Sequence, residues 1–212
     1  MRIAVALAAV AALLGVTLTP TFAVRPAAEV GEVGPPRTAA GIELTYQVDG
    51  VTRIAKLQSD LVIGPGRLDA ELDLSSGTIT GDLWLPPSDG YFIVFGFVPT
   101  TARTEMIPVG KVTGTIFDGQ VNAHAEVDIK LGDVAVDRQP LDVGPACVTA
   151  EPASLDVFGP FEMTKMKLTG SYAIPTFGGC QGRERLDPLF TGLISGPGNT
   201  IELTLTLLQS PQ

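Results

Sequence analysis

The chain has 212 residues, with 14 basic and 23 acidic side chains, a single histidine and a formal net charge of −9. A surface this acidic repels phosphate backbones, so nucleic acid is not expected as a partner. One histidine excludes multi-histidine zinc centres, and the length suits one domain with a sizeable core.

The chain opens with MRIAVALAAVAALLGVTLTPTFA: one charge at Arg2, an apolar run from Ile3 to Val16, then small and polar residues. This is the tripartite pattern of a secretory signal peptide, with cleavage expected after Ala23. The run is about 14 residues, short of the roughly 20 that a membrane-spanning helix needs. No second run of that kind follows, so no transmembrane helix is expected in the mature chain. Residues 24–40, VRPAAEVGEVGPPRTAA, hold Pro, Gly and Ala without an apolar pattern and read as a flexible leader. A single all-β domain is expected over residues 41–212.

From residue 41 onward, apolar and polar residues alternate with period two. In LDAELDL, Leu68, Ala70, Leu72 and Leu74 share one face and Asp69, Glu71 and Asp73 the other. QVNAHAEVDIKL and IELTLTLL repeat the pattern. Asp49-Gly50 and Asp118-Gly119 sit between strand-like runs and predict hairpin turns, because both central residues of a type I′ turn need positive φ. The two Gly-Pro-Gly segments, 64–66 and 196–198, lack any phosphate-loop context and read as turns. Strands of about seven residues at this density predict an antiparallel β-sandwich or closed β-barrel of about 10–12 short strands. Strands that short do not suit an outer-membrane pore. LDPLFTGLISG, 186–196, is the exception: Asp187 can cap and Pro188 suits the first helical position, which predicts one short helix near the C-terminus.

Cys147 and Cys180 lie in Gly/Pro-rich segments, and in an exported chain such a pair is most simply a disulfide. That bridge would pin the helix and its loop over one end of the sheets.

Chemistry is sparse. Alternation puts His124 on a polar face beside Asn122, Glu126 and Asp128, where His124 with Glu126 is a candidate small polar site. No GxSxG-like turn accompanies it. The row Asp69, Glu71 and Asp73 is spaced along an extended strand, with neighbours about 6–7 Å apart, too far to converge on one calcium ion. No metal and no cofactor are expected, and no catalytic residue is assigned. A glycosidase-like pair of carboxylates from different strands is the alternative.

GYFIVFGFVP, 90–99, shows no alternation. It reads as a central strand covered on both faces, with a pocket wall, a subunit interface or a membrane-touching element as alternatives. Phe92, Phe95 and Phe97 are its candidate ligand-binding residues. Three further strands, TITGDLWL, KVTGTIF and KMKLTGSYAI, carry an aliphatic-Thr-Gly triplet that turns Gly81, Gly114 and Gly170 to the core. An inward glycine lets a strand bend or lets a large group approach the backbone. The three glycines are therefore either corners of a curved sheet or the floor of an apolar ligand cavity.

IGPGRLDAELDLSSGTITGDLWLPP and the closing SGPGNTIELTLT resemble a group of small exported β-rich proteins of high-GC Gram-positive bacteria (actinobacteria). The resemblance implies export and an all-β fold, and it carries no functional residue across. The expectation is a secreted, non-enzymatic β-domain of the cell envelope or medium that binds an apolar small molecule or an envelope component. A secreted hydrolase using paired carboxylates is the alternative.

Overall fold

The computed structural model describes residues 41–209; the expected signal peptide and leader lie outside the described residues. In chain order the elements are β1 (Ile42–Ile54), β2 (Ser59–Asp73), β3 (Thr78–Trp84), β4 (Ser88–Val94), β5 (Val98–Pro108), β6 (Val112–Phe117), β7 (Gln120–Val136), β8 (Gln139–Pro140), β9 (Val148–Thr149), β10 (Ala153–Pro160), β11 (Lys165–Ile174), β12 (Phe177–Gly178), α1 (Asp187–Leu193) and β13 (Gly196–Gln209).

Eight strands close an antiparallel barrel in the order β1, β2, β3, β6, β7, β10, β11, β13 and back to β1. Alternation fills it. Leu44, Tyr46, Leu68, Leu72, Val121, Leu168 and Leu205 point inward and are buried, while Asp69, Glu71, Thr80, Asp82, Thr113, Lys167, Thr169 and Glu202 face outward and are exposed. An apolar interior behind a polar outer face is the reverse of a membrane-spanning barrel, whose apolar band faces lipid. Among the described residues, no helix is long and apolar enough to cross a membrane.

Several strands are about twice the expected length: β1, β2, β7 and β13 run 13, 15, 17 and 14 residues. The sequence features that read as turns lie inside them. Asp49-Gly50 is in mid-β1, where the register with β2 shifts between Val48 and Gly50. Gly64-Pro65-Gly66 lies across from it in β2, and Gly196-Pro197-Gly198 opens β13. At the β1–β2 site the paired ribbon bends without ending, because the extra residue of a bulge turns a strand while keeping its ladder. Asp118-Gly119 is a true hairpin turn, with φ of 50° and 71°. Leu74 sits just past the end of β2 and is exposed, not inward.

That bend divides the molecule into two storeys. The first half of β7 pairs with β6 and β10 in the closed ring, and its second half pairs with β5, with β8, and through Lys130 with Val148 of β9. β4 pairs with β5 and packs beside β2, forming the wall of the upper storey.

Cys147 and Cys180 form the disulfide, with both residues fully buried. It ties the loop before β9 to the loop before α1. The expected helix is present, with one difference in its capping. Leu186 occupies the cap position, and the Asp187 carboxylate instead accepts the Cys180 backbone N–H at 2.7 Å. Phe190 packs on Phe177 with ring centroids 6.3 Å apart, so α1 covers the open end of the upper storey.

Candidate functional site

Gly81 and Gly114 face inward as the alternation predicts, and each lies hard against a neighbouring strand. A Cβ on Gly81 would sit 2.8 Å from the Asp69 carbonyl oxygen, and one on Gly114 would sit 2.9 Å from that of Asn122. At Gly170 a Cβ would collide with the Asp156 carbonyl oxygen and lie 3.0 Å from Val157 Cγ1. The space a side chain would need is already taken by backbone, so the glycines permit close approach of paired strands. None of the three lines either interior cavity.

The 90–99 segment is not a central strand. Its residues belong to a hairpin, β4 and β5, turning at Phe95-Gly96-Phe97. Alternation resumes once the turn is known. Phe92 and Val94 are buried and face the upper storey, whereas Tyr91, Ile93, Phe95 and Phe97 are exposed at 61%, 38%, 70% and 78%. Phe95 and Gly96 both have positive φ, 56° and 79°. The apolar run hid the turn because its left-handed position is filled by phenylalanine, where Gly, Asn or Asp is the usual signal.

Two apolar cavities lie inside. The lower, about 90 Å³, is lined mostly by aliphatic side chains of the ring, with Tyr46, Met106, Phe161 and Met166, and His124 borders it. The upper, about 60 Å³, lies among Phe92, Ala102, Leu131, Ile174, Phe177 and Phe190. Met106 lines both. The upper cavity has a polar spot that sequence reading did not identify. Thr52, 1% exposed, donates to the Thr200 carbonyl at 2.9 Å and shares a 2.8 Å hydrogen bond with the Tyr172 hydroxyl. Burial pushes the Tyr172 pKa above its usual range, with the Thr52 hydrogen bond acting against it. Beside them Asn199 accepts the Ala55 N–H and donates to the Tyr172 and Gly196 carbonyls. These contacts span distant strands, so no local pattern announces them.

Acidic and basic side chains line neither cavity, apart from His124 at the border of the lower one. Among the described residues, the buried polar side chains are three threonines, a serine and an asparagine, with no charged group. Asp69 accepts hydrogen bonds from Arg67 and Thr45, and the Arg67 hydrogen bond holds its carboxyl below the usual range. Asp73 accepts from Ser75 and Ser76 in the turn after β2, with the same direction of shift. The row does not converge, and no cluster able to hold a metal occurs among the described residues. His124 faces outward, and its Nδ1 lies 2.8 Å from Asp156 on β10, its partner in register, not from Glu126. A surface depression of about 950 Å³ runs between residues 132–145 and 183–186 and carries charges of both signs, with Lys130 paired to Glu105.

Comparison with known proteins returned no matching family model, no similar curated protein and no similar solved structure.

Proposed function

We propose that this is an exported, non-enzymatic binding domain that encloses a small apolar molecule in its two-storeyed interior. The carrying observation is the pair of apolar cavities sharing Met106, with the Thr52–Tyr172 hydroxyls as a polar point in the upper one. Eight-stranded barrels are just wide enough to be filled by side chains or to hold one small ligand. Each space by itself is smaller than the roughly 150 Å³ of an engineered apolar cavity that binds benzene, so the ligand requires Met106, which lines both, to shift and join them. Methionine, unbranched and with three rotatable bonds, is suited to move between a filled and an opened interior. The matching ligand is a compact ring or short branched hydrocarbon with at most one hydrogen-bonding group, and a long acyl chain is too large.

The disulfide fits an oxidising compartment, and export from an actinobacterial host rests on the sequence patterns at 1–23 and in the β-strands. The hydrolase reading is disfavoured because Asp69 and Glu71 are exposed on the outer face of the barrel and Asp73 serves its turn.

Native mass spectrometry of protein from its own host, with thermal unfolding under saturating benzene, tests the reading. A co-purified small apolar mass and a raised Tm are expected. A clean monomer mass with no benzene-dependent shift overturns it. A glycan-cleaving activity abolished by substituting two of Asp69, Glu71, Asp73 and Glu126 would establish the hydrolase instead.

A further inference from the structure

The β4–β5 hairpin breaks two rules at one point. Phe95 holds φ at 56°, where a bulky residue is an outlier, and its ring is 70% exposed, so burial within the fold does not repay the strain. Backbone strain of this kind clusters at ligand clamps and switch regions. Phe97 is 78% exposed beside it, and nothing stands within 4 Å of where a side chain on Gly96 would begin, so the turn projects freely. Tyr91 and Ile93 extend the same outer surface along β4.

We propose that the Phe95–Phe97 tip docks this protein on an uncharged lipid surface, with both rings seated at the boundary between headgroups and hydrocarbon. Charge decides which lipid. From Gly90 to Ala102 there is no charged residue, and the flanking Asp89 and Arg103 pair with each other at 3.3 Å. A chain of net charge −9 with no basic residue at the tip has nothing to attract it to anionic headgroups. Hydrogen bonding separates lipid from protein as the occupant. Between residues 91 and 99 the only side-chain hydroxyl is that of Tyr91, whereas protein interfaces carry about one hydrogen bond per 100–200 Å². A lipid boundary makes no such demand and favours aromatic rings. The exposed Thr101, opposite Tyr91 in register, continues that outer surface with a hydroxyl, whereas Thr100 turns inward with Phe92. This proposal is independent of the interior cavities.

Co-sedimentation of the mature chain with phosphatidylcholine vesicles, and with vesicles containing added phosphatidylglycerol, tests it. Binding to the neutral vesicles, insensitive to salt and weakened by the anionic lipid, is expected. Phe95→Asn and Phe97→Ser should each weaken it about tenfold or more, while a Tm of Phe95→Asn equal to or above the parent's, as relief of the positive-φ strain predicts, shows that the fold is intact. Failure to sediment with either vesicle, preference for the anionic one, or undiminished binding by the double variant overturns the proposal. So does a dimer in analytical ultracentrifugation that the double variant dissociates, since the occupant would then be a second copy.

Discussion

Gly170→Ala tests the steric account of close strand approach, and Gly132→Ala supplies its control within the same sheet. Both glycines lie in strands and neither has positive φ. In an ordinary strand, replacing Gly by Ala lowers the entropy of the unfolded chain and stabilises by about 0.4–1 kcal/mol. Gly132 has nothing within 4 Å of its Cβ position, so that full benefit is expected there. At Gly170 the added methyl meets the Asp156 carbonyl oxygen and Val157 Cγ1. The oxygen belongs to the paired strand, where Val157 is opposite Gly170, and cannot withdraw without opening the β10–β11 ladder. Overpacking of this kind costs about 1–3 kcal/mol, so the two variants should move in opposite directions, separated by about 1.5–4 kcal/mol. Urea unfolding followed by circular dichroism measures both midpoints. If Gly170→Ala is as stable as Gly132→Ala, the glycine triplet is not a steric requirement of the barrel, and the close-approach explanation fails.

Two further outcomes follow from the packing. Reducing Cys147–Cys180, 33 residues apart, should cost about 3–4 kcal/mol on the chain-entropy account; thermal unfolding with and without reductant reads it, and an unchanged Tm would mean the loop before β9 and α1 hold without the bridge. Tyr172 has its pKa raised by burial, so its stabilising contribution is complete below the ordinary tyrosine value of about 10 and declines as pH rises towards the higher folded value. Tyr172→Phe should lose about 0.5–1.5 kcal/mol at neutral pH with the Thr52 hydrogen bond and lose less than the parent between pH 9 and 11. Urea midpoints across that range check the sign, and an equal alkaline loss in both would place the effect elsewhere.

Alternation disclosed the all-β class and the faces of nearly every long strand, because one side of each meets an apolar interior and the other meets water. The helix at 187–193 and the disulfide were legible for similarly local reasons. Strand boundaries were harder to read. Asp49-Gly50 and Gly64-Pro65-Gly66 carry turn chemistry yet serve a bend in a continuous ribbon, which only the pairing of β1 with β2 distinguishes. In 90–99 the opposite happened, since a turn built on phenylalanine leaves no polar mark. His124 met Asp156 and not Glu126 because the partner came from the adjacent strand. Thr52, Tyr172 and Asn199 are separated by up to 147 positions, and their meeting in the upper cavity depends on barrel closure.

Closure itself has a kinetic consequence. The last seam of the ring joins β1 to β13, pairing Thr45 with Gln209, the two ends of the described chain. Contacts this distant in sequence are slow to form, because the loop entropy is lost before the ladder can compensate. Until β13 arrives, β1 and β11 both present open edges, and an open edge will accept a strand from any neighbouring chain. Folding and aggregation therefore compete for the same two edges, and the speed with which the fourteen residues of β13 dock bears on which prevails.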